Sequence, residues 1–208
     1  MEFSADNFMT SSGAQMMAEG VKRPACGIAT DTRTLKKGEL FFALQGPHFD
    51  GHAFCEQAIE KGAWGVVVSR TRVPEYQSTG VSPPWIFQVK DTLQALGDLA
   101  GWWRRQMPAQ CVAITGSNGK TTTKEMLASM VATRLSTLKT EGNFNNLIGL
   151  PLTLSRLEKK HEVAILEMGM NAPGEIARLT QIAAPQVGII TNAAAAHLEK
   201  LHTVEEVA

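Results

Sequence analysis

Several features that mark other protein classes are scarce or missing in this 208-residue sequence. It has three cysteines, Cys26, Cys55 and Cys111, and no CxxC pair, which argues against a zinc site or a disulfide framework and favours a reducing, cytoplasmic setting. Its 20 basic and 20 acidic residues leave no net charge, which gives no support to a nucleic-acid-binding or polybasic membrane-surface protein. No apolar run is long enough to span a bilayer, and the N-terminus lacks the basic and then apolar pattern of a signal peptide. We therefore expect a soluble intracellular protein that binds neither nucleic acid nor membrane.

Hydrophobic residues make up 44% of the chain, so it has enough apolar surface to fold, and its length allows one large or two modest cores. In the first part, the apolar run Leu40–Leu44 predicts a buried strand, and Val66–Val68 predicts another. The segment His52–Lys61 between them has helical spacing and stops at Gly62. Strand, helix and strand at this distance predict a small parallel βαβ unit.

A segment rich in proline, glycine and small polar residues, Thr71–Pro84, interrupts this pattern and is interpreted as a linker or long surface loop. We place a domain boundary at its end. The prediction is a small N-terminal α/β domain over residues 1–84 and a second domain over residues 85–208.

The second domain alternates apolar strands with helices. Cys111–Thr115, Val163–Glu167 and Val187–Thr191 read as buried strands, and Pro173–Ala183 reads as a helix with a proline near its start. Alternation of this kind predicts a parallel sheet covered by helices on both faces. The fold class is therefore α/β throughout, with a parallel-sheet ATPase-type domain following the smaller one.

A glycine-rich loop stands between the strand that ends at Thr115 and a following helix. Free N–H groups at a helix N-terminus form an anion site, a lysine there reaches the terminal phosphates of a nucleotide, and the next hydroxyl is placed to ligate Mg²⁺. Ile114 stands where the common phosphate loop has its first glycine, so the loop is the shorter GxxGKT form. The alternative is a glycine-rich turn with a solvated lysine. The predicted ATP-binding residues are Gly116, Ser117, Asn118, Gly119, Lys120, Thr121 and Thr122.

Two other polar features follow in this domain. Glu167 ends a predicted strand, where ligands bind in parallel sheets, so it is either a metal ligand or an ordinary surface acid at a strand end. Asn143, Asn145 and Asn146 cluster beside Gly142, and asparagine there is explained either by ligand binding or by simple turn chemistry.

The loop TGSNGKTTTKEM resembles the nucleotide loop of the Mur ligases, the ATP-dependent amide ligases of peptidoglycan precursor synthesis. Further segments are similar to the MurF type, which adds D-alanyl-D-alanine. These are the Gly142–Leu152 segment (GNxNNxxGxPL), Ile165–Gly169 with Pro173–Ile176, Thr191–Glu199 (TNxxxAHLE), and in the N-terminal part Asp31–Arg33, Phe42–Gly46 and Asp50–His52. The resemblance covers nearly the whole chain beyond about Cys26.

The resemblance implies a reaction and its ligands. ATP activates the carboxylate of UDP-MurNAc-tripeptide as an acyl phosphate, and the amine of D-alanyl-D-alanine then displaces phosphate. It implies catalytic roles for Lys120, Glu167 and His197, with Mg²⁺ held by Thr121, Glu167 and His197, although a single histidine such as His197 is by itself more often structural. It also implies that Asn143 and Asn146 lie along the nucleotide cleft.

For the N-terminal domain the resemblance implies binding of the uridine diphosphate part of the substrate. The candidate residues are Asp31, Thr32, Arg33, Gly46, Asp50 and His52. Arg33 would supply a guanidinium fork for phosphate, although Asp31–Arg33 is equally compatible with a capped turn, and the strand before Gly46 is mainly core.

Other hypotheses remain open at this point. The chain is either a MurF-type ligase, a sibling such as a MurE-type or folylpolyglutamate-type ligase, or a nucleotide- or substrate-binding module without turnover. The family has a third domain and a carbamylated lysine that would follow Ala208, so we expect a monomeric piece of a longer ligase that is inactive alone.

Overall fold

The computed structural model describes residues 1–47, 49–69 and 83–194. They form two compact units, Met1–Leu99 and Ala100–Ala208. The helix at the junction, α3, spans Thr92–Arg105, and Asp91 caps its start by accepting hydrogen bonds from Leu93 and Gln94. Among the described helices, none combines the length and apolar character needed to cross a membrane.

The first unit is built on one five-stranded sheet with the order β1-β5-β4-β3-β2. Strands β2 to β5 are parallel, and β1 pairs with β5 in the antiparallel direction at one edge. The strands are β1 Gln15–Ala18, β2 Ile28–Ala29, β3 Leu40–Phe42, β4 Gly65–Val68 and β5 Trp85–Gln88. The helices are α1 Ala5–Ser12 and α2 Cys55–Glu60, the latter preceded by a 3-10 turn at Gly51–Phe54.

An aromatic cluster forms much of the core of this unit. The Phe87 ring lies 5.8 Å from that of Trp85, nearly parallel to it, and 4.9 Å edge-on from that of Phe8. The indole N–H groups of Trp64 and Trp85 donate to the carbonyl oxygens of Arg23 and Val21. The cluster therefore buries large apolar area and leaves no indole donor unsatisfied.

The predicted domain boundary after residue 84 is wrong for the strand that follows it. Strand β5 belongs to the first sheet, where Ile86 pairs with Val66 of β4 and also with Ala18 of β1. Pairing partners so far apart in the chain cannot be read from local composition, which marked only the proline-rich segment before the strand. Most of that segment lies outside the described residues.

The second unit is built on a parallel four-stranded sheet with the order β7-β8-β6-β9. Apolar clusters cover both faces: one includes Leu150, Leu166 and Leu179, and the other includes Ile114, Ala128 and Ile165. The strands are β6 Gln110–Thr115, β7 Thr137–Lys139, β8 Val163–Glu167 and β9 Val187–Ile190; the helices are α4 Lys120–Val131, α5 Gly149–Leu154 and α6 Glu175–Ala183. The predicted α/β class with a parallel second sheet is confirmed.

Candidate nucleotide site

The glycine-rich loop joins the carboxyl end of β6 to the first residue of α4. Gly116 and Gly119 both have positive φ, +131° and +80°, which glycine adopts at low cost. Helix α4 begins after Gly119 without a side-chain cap, so N–H groups of its first turn are open to an anion, and the helix dipole favours one there. The loop therefore has the local geometry of a phosphate site.

The loop is fixed in place by the segment that follows β9. Thr191 Oγ1 donates to the Asn118 carbonyl at 2.6 Å, and the Asn118 N–H donates to Asn192 Oδ1 at 3.0 Å. Ser117 Oγ both donates to the Ala194 carbonyl and accepts from the Ala194 N–H. A Cβ on Gly116 would lie 2.1 Å from Thr191 Oγ1, so only glycine fits beneath this segment.

Lys120, at the start of α4, turns back over the loop. Its Nζ donates to the Gly116 carbonyl at 2.5 Å and to the Ser117 carbonyl at 3.3 Å. Within the described parts of the chain it forms no ion pair, so its charge is available to an anionic ligand. Thr121 and Thr122 follow it and are exposed, which leaves the Thr121 hydroxyl accessible.

Glu167 stands beside this loop because β8 pairs with β6, and its register partner is Ile114. The side chain is 2% exposed, so the alternative of a surface acid is excluded. Asn145 Nδ2 donates to Oε1 at 2.9 Å. The buried Oε2 accepts no hydrogen bond from the described residues and has Lys124 Nζ at 3.6 Å. A buried carboxylate oxygen without a hydrogen bond fits Mg²⁺, which prefers oxygen ligands.

The asparagine cluster divides between two tasks. The Asn145 side chain donates to Glu167, and the Asn145 carbonyl oxygen accepts from the Gly169 N–H at 2.8 Å. Asn146 Oδ1 accepts from the N–H groups of Ile148 and Gly149, which is the turn chemistry that was the alternative for this cluster. Asn143 is exposed. Asn145 is therefore the asparagine that contacts Glu167. The nucleotide-cleft positions of Asn143 and Asn146 stay predictions.

Three site residues were missed by the sequence argument: Lys124, Thr140 and Asn192. Lys124 lies one helical turn after Lys120 and contacts Glu167. Thr140 Oγ1 accepts a hydrogen bond from the Glu167 N–H at 3.0 Å. The i to i+4 spacing of the two lysines was the available signal, since it places both on one side of α4.

The predicted metal ligand His197 lies outside the described residues. Among those described, no group of three His, Cys, Asp or Glu side chains is arranged to hold a metal ion. A cation bound at Glu167 would therefore need the hydroxyl of Thr121, phosphate oxygens or water to complete its coordination.

The first unit brings its predicted substrate residues to one edge, because the carboxyl ends of parallel β2 and β3 point the same way. Arg33 Nε and Nη2 donate to the Asp31 carboxylate, Nη2 at 2.6 Å. These hydrogen bonds lower the pKa of Asp31 from 3.8 to about 2. Thr32 is buried against Gln57. The Arg33 fork is thus already oriented by Asp31.

Asp50 and His52 engage each other and the end of β4. The Asp50 carboxylate accepts from His52 Nδ1 at 2.6 Å, and His52 Nε2 accepts from the Ser69 N–H at 3.0 Å. These partners assign the proton to Nδ1. The Gly46 N–H donates to the Phe49 carbonyl and closes the turn that leads from β3 to Asp50. The side chains of Asp50 and His52 therefore stabilise the chain directly after this turn.

Comparison with known proteins assigns both units. The Mur ligase family catalytic domain matches residues 25–103, and the Mur ligase middle domain matches residues 114–208. The UDP-N-acetylmuramoyl-tripeptide–D-alanyl-D-alanine ligase of Bacillus subtilis (strain 168) is 44% identical over 185 residues, which are 88% of this chain and 39% of that protein. The chain thus spans about two fifths of the length of this relative.

Solved structures give the same result. The chain is similar along its whole length to MurF from Acinetobacter baumannii, with a TM-score of 0.89 and 33% identity, and covers 44% of that chain. It is also similar to MurF ligase from Thermotoga maritima in complex with ADP, with a TM-score of 0.77 and 35% identity, covering 87% of this chain and 40% of that one.

We expect Gly116→Ala to destabilise the second unit by about 1–3 kcal/mol and to weaken ATP binding. The new Cβ would clash with Thr191 Oγ1, and the φ of +131° at residue 116 is strained for any residue with a Cβ. Gly188→Ala is the matched control, since a Cβ there meets nothing within 4 Å. Thermal melting and ATP titration of both variants check this. Equal melting temperatures and equal ATP affinities in the two variants would contradict the close contact between Gly116 and Thr191.

We expect Arg33→Met to return the pKa of Asp31 from about 2 toward 3.8, because Arg33 is the main cause of the shift. Since the folded pKa is lowered, the stabilisation from this pair is present above about pH 4 and is lost as pH falls through about 2. An NMR pH titration of the Asp31 carboxyl carbon measures it. Lys61→Met, which removes the weakest contributor, should leave the value near 2; a value that stays there in Arg33→Met would refute the pairing.

Proposed function

The chain belongs to the Mur ligase family, and from that premise we propose that it binds Mg·ATP in its second unit and UDP-MurNAc-tripeptide in its first, for the addition of D-alanyl-D-alanine. The observation that carries the proposal is the convergence at one sheet edge of the loop, the ammonium of Lys120 and the buried carboxylate of Glu167. The ADP complex of the Thermotoga maritima relative supports the nucleotide.

Within the proposed nucleotide site, each group acts by position and charge. The loop N–H groups and Lys120 bind phosphate oxygens, and Lys120 must exchange its carbonyl partners for them. Thr121 and Glu167 would hold Mg²⁺, and His197 is proposed as a further ligand. When bound, Mg²⁺ neutralises phosphate charge.

The proposed reaction has two steps. A carboxylate oxygen of the tripeptide attacks the γ-phosphorus of ATP, and ADP leaves; the amine of D-alanyl-D-alanine then attacks the acyl carbon, loses a proton and expels phosphate. Phosphoryl transfer of this kind depends on alignment and charge stabilisation, which are what a rigid loop and a fixed lysine provide. The segment Thr191–Ala194 supplies that rigidity.

For the first unit we propose that Arg33 binds the diphosphate while Asp31 keeps its fork oriented. Thr32 and Gly46 would line the same edge, and Asp50 with His52 would hold the turn that faces the substrate. These substrates place the proposed reaction in the cytoplasm, and a monomer is the proposed state because both sites are assembled from one chain.

We expect Lys120→Ala to weaken Mg·ATP binding by about ten- to a hundredfold, since a charge-assisted hydrogen bond to phosphate contributes about 1.5–3 kcal/mol. Lys160→Ala is the control: that side chain is exposed, pairs with Glu158 and precedes the amino end of β8, away from the loop. Fluorescence titration with an ATP analogue measures both. Unchanged affinity in Lys120→Ala would show that the loop does not bind the nucleotide phosphates.

We expect the chain to bind UDP-MurNAc-tripeptide without ATP, and Arg33→Met to weaken that binding about tenfold. Arg156→Met, which breaks a comparable exposed pair with Glu141 in the second unit, should have no effect. Isothermal calorimetry decides between them. Absence of binding by the folded chain, or equal losses in the two variants, would count against the first unit as the substrate site.

A further inference from the structure

Lys124 is buried although it lies on α4, a helix with exposed apolar side chains. It is 1% exposed, although Met126 and Met130 on the same helix are more than half exposed. An ammonium removed from water costs several kcal/mol unless it is paired. Its partners therefore define its role.

The two partners of Lys124 differ in their surroundings. Glu125 Oε1 lies at 3.1 Å, but this carboxylate is about half exposed and also pairs with Lys139. Glu167 Oε2 lies at 3.6 Å and is as buried as Lys124 itself. Because Coulomb interactions are stronger where water is excluded, Glu167 is the partner to which the buried charge is most strongly coupled.

Glu167 is held from three directions. Asn145 donates to Oε1, Thr140 accepts from the Glu167 N–H, and Lys124 faces Oε2. The 3.6 Å separation is an ion-pair contact without a hydrogen bond, so Oε2 keeps its lone pairs for another ligand. Buried ion pairs are often no more stabilising than apolar side chains of the same volume, which makes stability a weak reason for this one.

We propose that Lys124 is a positioning residue that holds the Glu167 carboxylate in the orientation required to ligate the divalent cation accompanying the nucleotide. The inference rests on the proposed function, since it takes Glu167 as a metal ligand. It extends the site to a second lysine, one turn along α4, that acts through Glu167 and does not contact phosphate. The two lysines of the KTTTK segment then have separate tasks.

Electrostatics alone makes the opposite prediction. Lys124, Lys139, Glu125 and Glu167 together carry no net charge, so removing the Lys124 charge leaves the cluster negative and would by itself attract Mg²⁺ more strongly. Loss of orientation instead weakens the site, and residues that orient metal ligands typically contribute about 10–100-fold to metal affinity. The sign of the change thus separates the two effects.

The test compares ATP affinity in Mg²⁺ and in EDTA, and the ratio of the two is the gain due to the metal. We expect Lys124→Met to lower this gain about tenfold while affinity in EDTA stays unchanged. Lys139→Met, which removes the outer lysine that pairs with Glu125, should keep the full gain. A merely structural role would lower the melting temperature without moving the ratio. A gain that is unchanged or larger in folded Lys124→Met, or a loss of affinity in EDTA, overturns the proposal.

A second comparison uses Glu167→Gln with and without Lys124→Met, and it stands even if the single Lys124 variant does not fold, since the double variant buries no unpaired charge. If Lys124 acts through Glu167, the two chains have the same metal gain. A further loss in the double variant would show an independent action and overturn the inference alone. An undiminished gain in Glu167→Gln would overturn both the inference and the proposed metal role of Glu167.

Discussion

Strand β6 is hydrogen-bonded on both sides, to β8 and to β9, and the rest of the second unit depends on this arrangement. Because all three strands run in parallel, their carboxyl ends deliver the loop at Gly116, the carboxylate of Glu167 and the hydroxyl of Thr191 to one edge of the sheet. The parallel pairing is itself supported by apolar clusters on both faces. The chemistry of the site is thus a consequence of strand order.

The groups at that edge lower the stability of the fold compared with apolar side chains in ordinary backbone conformations. Glu167 and Lys124 are buried charges, and Gly116 stands at a φ that glycine alone tolerates well, directly beneath Thr191. Each has a desolvation or backbone cost that the surrounding sheet and helix offset. Rigid placement of the loop and its neighbouring carboxylate is what the proposed phosphoryl transfer, which depends on alignment, requires.

The sequence was sufficient for features that are local in the chain. The loop, its lysine and the strand ending at Glu167 follow from motif, spacing and apolar runs, and the α/β class follows from their alternation. Features that depend on distant partners were not accessible: the pairing of β5 with β4, the contact of Asn145 with Glu167, and the contact of His52 with Ser69. The short strand β7, with polar residues at both ends, has too weak an apolar pattern to be recognised.

The loop and Glu167 are proposed to form one Mg·nucleotide site. The most direct measurement is a crystal structure of the chain with a non-hydrolysable ATP analogue and Mn²⁺, located by its anomalous scattering. We expect the phosphates to lie on the backbone N–H groups of residues 116–122, with manganese bound to the Glu167 carboxylate. Phosphates bound elsewhere, or manganese that leaves Glu167 without contact, would contradict the assignment.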